Sequence, residues 1–175
     1  NCGFSLAPAK PADMPWLAQM LSRVEGMSPA ALGTGVRYHG GSFGEFLDTF
    51  EGRIGVNLGT YVPHSPVRRW VMGEDASHRA ATADEITAMQ AIVRGAMRDG
   101  AIGFSTSQLD IHVAHDGREV PSNYATATEL VALAGALREF DYGALEFIPR
   151  SFAEGMHAAD RTLLCDMVRA AGGKP

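Results

Sequence analysis

Amphipathic helices alternate with short apolar runs along this chain, and that alternation most strongly limits what it can fold into. Thr82 and Glu85 form a capping-box pattern, which predicts a helix over about 83–99 that ends at Gly100. Other helices are predicted around 13–25, after a second capping box at Thr126 and Glu129, and over about 158–171.

Three apolar runs lie between these helices and are predicted to form strands, over 54–60, 101–106 and 144–148. Each long helix is followed within a few residues by such a run. Alternation of strand, helix and strand favours parallel pairing with right-handed crossovers, so the fold class is α/β. Asn1, Cys2 and Gly3 resemble the end of a further strand.

Two architectures fit this alternation, a doubly wound open sheet and part of a closed (β/α)8 barrel. A closed barrel usually needs about 250 residues, and this chain has 175. Its first residues resemble a strand end, and it stops where another strand should start. We therefore expect a partial TIM-like barrel, roughly its middle half, with residues 1–175 as one fragment. Because such a fragment leaves sheet edges uncovered, we expect the isolated chain to be unstable.

Composition argues against several classes of function. The 20 acidic residues outnumber the 15 Lys and Arg residues, and the net charge of −5 disfavours binding to nucleic acid. No apolar stretch approaches the roughly 20 residues that cross a bilayer, so no membrane association is expected. Cys2 and Cys165 lie near opposite ends of the chain, which favours a reducing, cytoplasmic location. An unrelated nucleotide-binding α/β domain lacks the glycine-rich turn that it would need.

Candidate site residues lie near the carboxyl ends of the predicted strands, where ligands of α/β folds gather. This rule selects Cys2, Arg150 and two segments, 61–68 with His64 and 105–115 with Ser105. Cys2 is either a metal ligand or a buried, inert thiol. His64 either contacts the substrate or a ligand-holding residue, or hydrogen-bonds the backbone of its own turn.

Other polar residues receive simpler interpretations. His112 and His115 have the spacing of a two-histidine metal clip, but an irregular loop does not make their rings converge, so a structural role is favoured. Of Arg68 and Arg69, at least one is expected on an exposed face. Cys165 falls on the apolar stripe of a helix and is expected in the core. The remaining histidines are expected at the surface: His39, His78 and His157.

Four segments resemble, in order and spacing, the N-acyl-D-amino-acid deacylases (D-aminoacylases) of the amidohydrolase superfamily. They are NCGFSLAP at 1–8, VPHSPVR at 62–68, ATADEI with GAIGFST between 81 and 106, and PSNYATATEL at 121–130. The resemblance covers roughly residues 1–135.

The resemblance implies a metal-dependent hydrolase on a TIM-like barrel, accompanied by a small β-domain. Such an enzyme cleaves an N-acyl-D-amino acid, a small-molecule substrate, to a carboxylate and a D-amino acid with a zinc-activated water. One or two zinc ions are implied, and by correspondence with the family's N-C-G motif Cys2 is the expected ligand. The family's H-x-H pair, its later histidine and its catalytic aspartate have no counterpart in this chain.

The chain departs from the family pattern at one strand. The family carries an H-x-R motif after the second capping box, and here Ile148 stands at the histidine position, ahead of Pro149 and Arg150. Either the alignment slips in this region, or the metal site is altered and held by fewer histidines. The alternative function is therefore a barrel that binds a small acyl-amino acid without turnover.

Overall fold

The computed structural model describes residues 2–174 and contains one sheet of three parallel strands packed against helices. The elements are α1 (Met14–Glu25), α2 (Pro29–Gly35), α3 (Phe43–Asp48), β1 (Val62–Pro63), α4 (His64–Met72), α5 (Ala83–Arg98), β2 (Gly103–Ser107), α6 (Ala127–Gly135), β3 (Ala144–Ile148) and α7 (Ala158–Ala170). The strand order is β1-β2-β3, and both neighbouring pairs are parallel. The predicted α/β class with a partial parallel sheet is confirmed.

Strand β2 lies at the centre of the sheet, and all five of its residues are buried. Its Phe104 is the register partner of Val62 on β1 and of Leu145 on β3. The main core packs around this row, with buried side chains from the N-terminal segment and four helices: Phe4, Leu17, Met20, Val67, Met89, Val93 and Leu133. A smaller cluster joins α6 to α7 through Leu130 and Met167.

The two capping-box sequences give different structures. At the start of α5, Thr82 accepts from the Glu85 N–H, and the Glu85 carboxylate accepts from the Thr82 N–H, as predicted. At the start of α6, Thr126 accepts from the Glu129 N–H, but the Glu129 carboxylate points into the core instead of back to the cap. The second capping box is therefore only half formed.

The strand predicted at 54–60 is absent. Its apolar side chains Ile54, Val56 and Leu58 are 43%, 74% and 48% exposed. The parallel ladder starts only where the Ile102 N–H donates to the Thr60 carbonyl, because the chain before β2 is the C-terminal end of α5 and offers no extended neighbour. The first strand is therefore Val62–Pro63, and helix α4 begins directly after it at His64.

Residues 2–9 form no strand of the sheet, so the prediction that a strand ends at Cys2 and Gly3 is wrong for these two residues. Asn1 lies outside the described residues. Cys2 and Gly3 form a turn, and the Gly3 carbonyl accepts from the Ser65 N–H at 3.1 Å. Gly3 has φ of +79°, and a Cβ there would lie 3.0 Å from the Cα of Thr106. The N-terminal turn therefore packs directly on the backbone of β2.

Cys165 lies on α7 and is exposed, so the prediction that it lies in the core is wrong. The only fully buried side chain of the helix is Met167, which packs against α6. At 3.6 residues per turn, a residue two positions away lies on nearly the opposite side of the helix. Cys165 therefore faces away from the core. Within residues 2–174, no helix is long and apolar enough to span a membrane.

Candidate functional site

A thiol–carboxylate cluster, formed by Cys2, Gly3, Ser105 and Glu146, joins the N-terminal turn to strands β2 and β3. Ser105 and Glu146 are register partners on these two strands. One oxygen of the Glu146 carboxylate accepts from the Cys2 N–H at 2.9 Å, and the other accepts from the Ser105 hydroxyl at 2.9 Å. The Ser105 oxygen in turn accepts from the Gly3 N–H at 2.7 Å. The cluster fixes the Cys2 backbone over the sheet.

The two ionisable groups of this cluster influence each other. Burial raises the pKa of the Cys2 thiol, and the negative charge of Glu146 together with a hydrogen bond to its carboxylate raises it further. The pKa of Glu146 is lowered: partial burial acts to raise it, while hydrogen bonds from the Cys2 N–H and the Ser105 hydroxyl act to lower it. Without a metal cation, the arrangement therefore favours a neutral thiol beside a charged carboxylate.

A buried ion-pair network, made of His64, Arg68, Thr106 and Glu129, lies between α4, β2 and α6. His64 Nε2 is 2.9 Å from Glu129 Oε1, and His64 Nδ1 is 2.8 Å from the Thr106 hydroxyl. Arg68 Nη1 donates to both oxygens of Glu129. All four side chains are fully buried. A charged pair in this position is stabilising only if its hydrogen bonds are satisfied.

The contacts and the burial of His64 together indicate its protonation state. A carboxylate only accepts hydrogen bonds, so Nε2 carries a proton, and in the neutral ring Nδ1 accepts from the Thr106 hydroxyl. Burial lowers the pKa of His64, although Glu129 acts to raise it. The pKa of Glu129 is lowered, because His64 and Arg68 outweigh the effect of burial, which acts to raise it. His64 is therefore neutral near pH 7 and has both ring nitrogens engaged.

Both arginines of the pair at 68 and 69 are buried, so the prediction that at least one is exposed is wrong. Arg68 also donates to the Arg79 carbonyl at 2.8 Å. Arg69 donates to Asp13 at 2.8 Å and lies 4.8 Å from the ring centre of Trp16. Both guanidinium groups therefore bind partners inside the protein, namely carboxylates and an aromatic ring. Neither arginine side chain lies on an exposed helix face.

Arg150 follows β3 and is exposed, with one weak hydrogen bond of 3.4 Å to the Asn123 carbonyl. His112 and His115 have different partners: His112 packs on Phe4 and lies 3.0 Å from Ser107, and His115 packs on Trp16. The three histidines expected at the surface are exposed, although His78 contacts Arg118 and His157 pairs with Glu154: His39, His78 and His157.

The comparisons with known proteins point in one direction. No family model matches the chain. A curated D-aminoacylase from Alcaligenes xylosoxydans xylosoxydans is 36% identical over 107 residues, which are 61% of this chain and 19% of that protein. A solved D-aminoacylase structure, described as defining a novel subset of amidohydrolases, matches 98% of this chain with a TM-score of 0.63 at 26% identity. The chain resembles the D-aminoacylases in both sequence and fold.

A further solved structure extends the likeness of fold to a relative of the D-aminoacylases. An N-acyl-D-glutamate deacylase from Bordetella bronchiseptica, complexed with zinc and a phosphonate inhibitor, has a TM-score of 0.63 at 23% identity over 99% of this chain. The chain spans 31% of each of these solved relatives and 19% of the curated one. The predicted family resemblance and the predicted partial amidohydrolase barrel are both confirmed.

The D-aminoacylase likeness raises the question of a metal, since one solved D-aminoacylase is described by its binuclear metal centre. Thiolate and carboxylate are both zinc ligands, so the donor chemistry of the thiol–carboxylate cluster fits that ion. Within residues 2–174, no group of three or more His, Cys, Asp and Glu side chains could hold a metal. The described residues therefore fit part of a metal site. The predicted metal role of Cys2 stays a prediction, as do substrate or ligand-holding roles for His64, Ser105 and Arg150.

Two carboxylates of these clusters were not predicted from the sequence. Glu146 lies within an apolar strand. The sequence marks it only as a charged residue at a position where the strand pattern favours an apolar one. Glu129 occupies a capping-box position, and that pattern indicates a surface role. The sequence does contain one indication of a further role, since Glu129 lies in the segment 121–130 that resembles the deacylase family. That resemblance does not show which residues Glu129 contacts.

Proposed function

We propose that the full-length protein carrying this chain is a zinc-dependent hydrolase of linear amide bonds, which releases a carboxylate and a D-amino acid from an N-acyl-D-amino acid. The observation that carries the proposal is the thiol–carboxylate cluster, held on the parallel sheet of a chain that resembles D-aminoacylases over 98% of its length. The cluster joins a thiol, a group that can ligate zinc once deprotonated, to an ordered carboxylate at the sheet.

The residues of this chain would hold the metal and shape its surroundings. Cys2 would be a zinc ligand, for one or two ions, and bound zinc supplies a water of lowered pKa and polarises the scissile carbonyl. Ser105 would keep Cys2 in place through its hydrogen bonds to Gly3 and Glu146. Neutral His64 would fix the end of β1 against β2 and α6, holding the strand ends in register.

Arg150 would contact the substrate. It is exposed after β3, and within residues 2–174 its guanidinium makes a single weak hydrogen bond, to a carbonyl, which leaves donors for a carboxylate. The carboxylate of an N-acyl-amino acid is a suitable partner for such a fork of N–H groups.

The remaining parts of the machinery would lie elsewhere in the full-length protein. We place residues 1–175 within one catalytic barrel, with further strands, a small β-domain and the proton-shuttling aspartate outside them. The coverage of 31% of the solved relatives supports this arrangement. A cytoplasmic location is proposed as well, since Cys2 and Cys165 are free thiols.

The test is hydrolysis by the full-length protein purified with zinc. Release of free amine is measured over a panel of N-acyl-D-amino acids, with the matching L-enantiomers as controls. We expect turnover of D-substrates, lost on zinc chelation and in Cys2→Ser. If the zinc-loaded wild type hydrolyses neither enantiomer of any substrate, the proposal is wrong.

Ile148 favours a second candidate, a barrel that binds a small acyl-amino acid without turnover. The family's histidine position is occupied by a side chain that cannot ligate a metal. This candidate predicts saturable binding of an N-acyl-amino acid, measured by calorimetry, with no zinc in the purified protein and no hydrolysis.

A further inference from the structure

We propose that Glu146 is a second ligand of the metal held by Cys2, and that it replaces on β3 the histidine that Ile148 displaces. The inference rests on the proposed zinc function, and it gives the site a thiolate–carboxylate donor pair. Nothing in the sequence pattern alone assigns Glu146 this role.

The first argument is position along the strand. Side chains two residues apart on a strand lie on the same face of the sheet, so Glu146 and Ile148 share a face of β3. A ligand lost at 148 can therefore be supplied from 146 without a change of face. The two positions are one strand repeat apart, about 6.6 Å along the backbone, and the Cys2 turn lies beside position 146.

The second argument is contact with the expected ligand. Residues 2 and 146 are far apart in sequence, yet the Glu146 carboxylate accepts from the Cys2 N–H at 2.9 Å. The Ser105 hydroxyl orients its second oxygen at 2.9 Å. Metal-ligating carboxylates are typically oriented by such neighbouring donors. The two candidate ligands are thus already adjacent and restrained.

The third argument is the cost of the residue. The other four side chains of β3 are apolar, and all five residues of the strand are partly buried. A carboxylate in such a strand is less favourable than an apolar residue unless charged or hydrogen-bonding partners compensate it. Hydrogen bonds from the Cys2 N–H and the Ser105 hydroxyl supply such compensation and hold the carboxylate beside Cys2, where a bound cation would add to it.

A purely structural role for Glu146 is the competing explanation, and one substitution separates the two. Glu146→Gln keeps a side-chain oxygen that accepts from the Cys2 N–H and removes the negative charge. If Glu146 only holds the turn, Gln preserves both the fold and the metal affinity. If Glu146 is a ligand, Gln preserves the fold and lowers the affinity for the metal.

The experiment titrates the metal-free full-length protein with Co²⁺ and follows its absorption, with thermal unfolding as a check on the fold. Wild type should show thiolate-to-cobalt charge-transfer absorption, which Cys2→Ser abolishes. Glu146→Gln should keep that absorption at saturation, change the d–d bands and weaken affinity more than about 100-fold, beyond the 10–100-fold loss typical of an outer-shell partner. Ile148→His added to Glu146→Gln should restore tight binding.

The matched control is Glu139→Gln, which neutralises an exposed carboxylate that pairs with Arg94 outside the cluster; its cobalt affinity should equal that of wild type. Wild-type affinity and wild-type d–d bands in Glu146→Gln would overturn the inference, while loss of the charge-transfer band in Cys2→Ser would leave the proposed zinc function standing. Absence of cobalt and zinc binding in wild type would overturn both.

Discussion

The carboxylate of Glu129 lies 2.9 Å from His64 Nε2, and both side chains have no solvent exposure. Arg68, equally buried, pairs with the same carboxylate. Glu129→Gln leaves the Arg68 charge without its counter-ion in the core, and we expect a loss of about 3–5 kcal/mol in the free energy of unfolding. Urea unfolding of the full-length protein measures it.

Glu85→Gln is the matched control for this substitution. Glu85 occupies the same position in the same T-x-x-E pattern, but its carboxylate lies at the surface, between the Thr82 N–H and Arg79. Exposed ion pairs contribute only about 0–1 kcal/mol, so its loss should be much smaller than that of Glu129→Gln. Equal losses in the two variants would contradict a stabilising buried network.

Acid should destabilise the fold through His64. Burial lowers the pKa of His64 below its ordinary value of 6.5, so between those two values the unfolded chain binds a proton that the native state does not. Stability therefore falls as the pH falls through this range. Glu129 acts in the same direction below 4.5, since its native pKa is lowered and the stability it contributes is lost on protonation.

The measurement is the free energy of unfolding between about pH 7.5 and about pH 5.5, a range that brackets the ordinary histidine pKa. His64→Gln should make the curve flatter than that of wild type, and His39→Gln, a change at an exposed histidine, should leave it unchanged. A wild-type slope retained in His64→Gln would assign the pH dependence to other groups.

The longer helices were predictable because their signals are local, whereas the short helices α2 and α3 were not predicted. Thr82 and Glu85 lie within one turn, and the predicted helix at 83–99 is observed as Ala83–Arg98. At Glu129 the same local pattern predicts the wrong side-chain partner. The carboxylate binds Arg68, which lies 61 positions away in sequence, instead of the cap of its own helix. The apolar run 54–60 fails for a related reason, since a strand needs a neighbour that its own residues do not specify.

The candidate site was partly predictable. Cys2 and Ser105 follow from the rule that ligands gather near strand ends, and the structure brings both into one cluster. Glu146 was missed because a run such as Ala144–Ile148 is recognised by its apolar residues, and the one charged residue carries no motif. Its partner Cys2 lies 144 positions away in sequence, so only the folded chain reveals the pair.

Gly3 is a position where the backbone of the site tolerates no side chain. It has φ of +79°, and a Cβ there would lie 3.0 Å from Thr106 Cα and 3.2 Å from the Ser107 nitrogen. Gly3→Ala should therefore cost more than the control Gly26→Ala, which has φ of +65° and nothing within 4 Å. The control should lose about 1–2 kcal/mol from left-handed backbone alone.

Gly3→Ala should also lower the zinc content, because moving Gly3 displaces the adjacent Cys2 and breaks the hydrogen bond to Ser105. Thermal unfolding and elemental analysis of the full-length variants measure the two effects. Equal destabilisation in both glycine variants, with zinc content retained, would show that the turn does not press on β2.

The two cysteines should differ in reactivity. Cys165 is exposed on α7, whereas Cys2 is partly buried and its thiol pKa is raised by burial and by Glu146. Since the thiolate is the reactive form, iodoacetamide should modify Cys165 faster than Cys2 near neutral pH, as measured by peptide mass spectrometry.

Saturating zinc should slow the modification of Cys2 further and leave the modification rate of Cys165 unchanged, because a metal-bound thiolate is unavailable to the reagent. A Cys2 rate that zinc does not alter would argue against Cys2 as a ligand, whereas protection lost in Glu146→Gln would tie the carboxylate to the same metal.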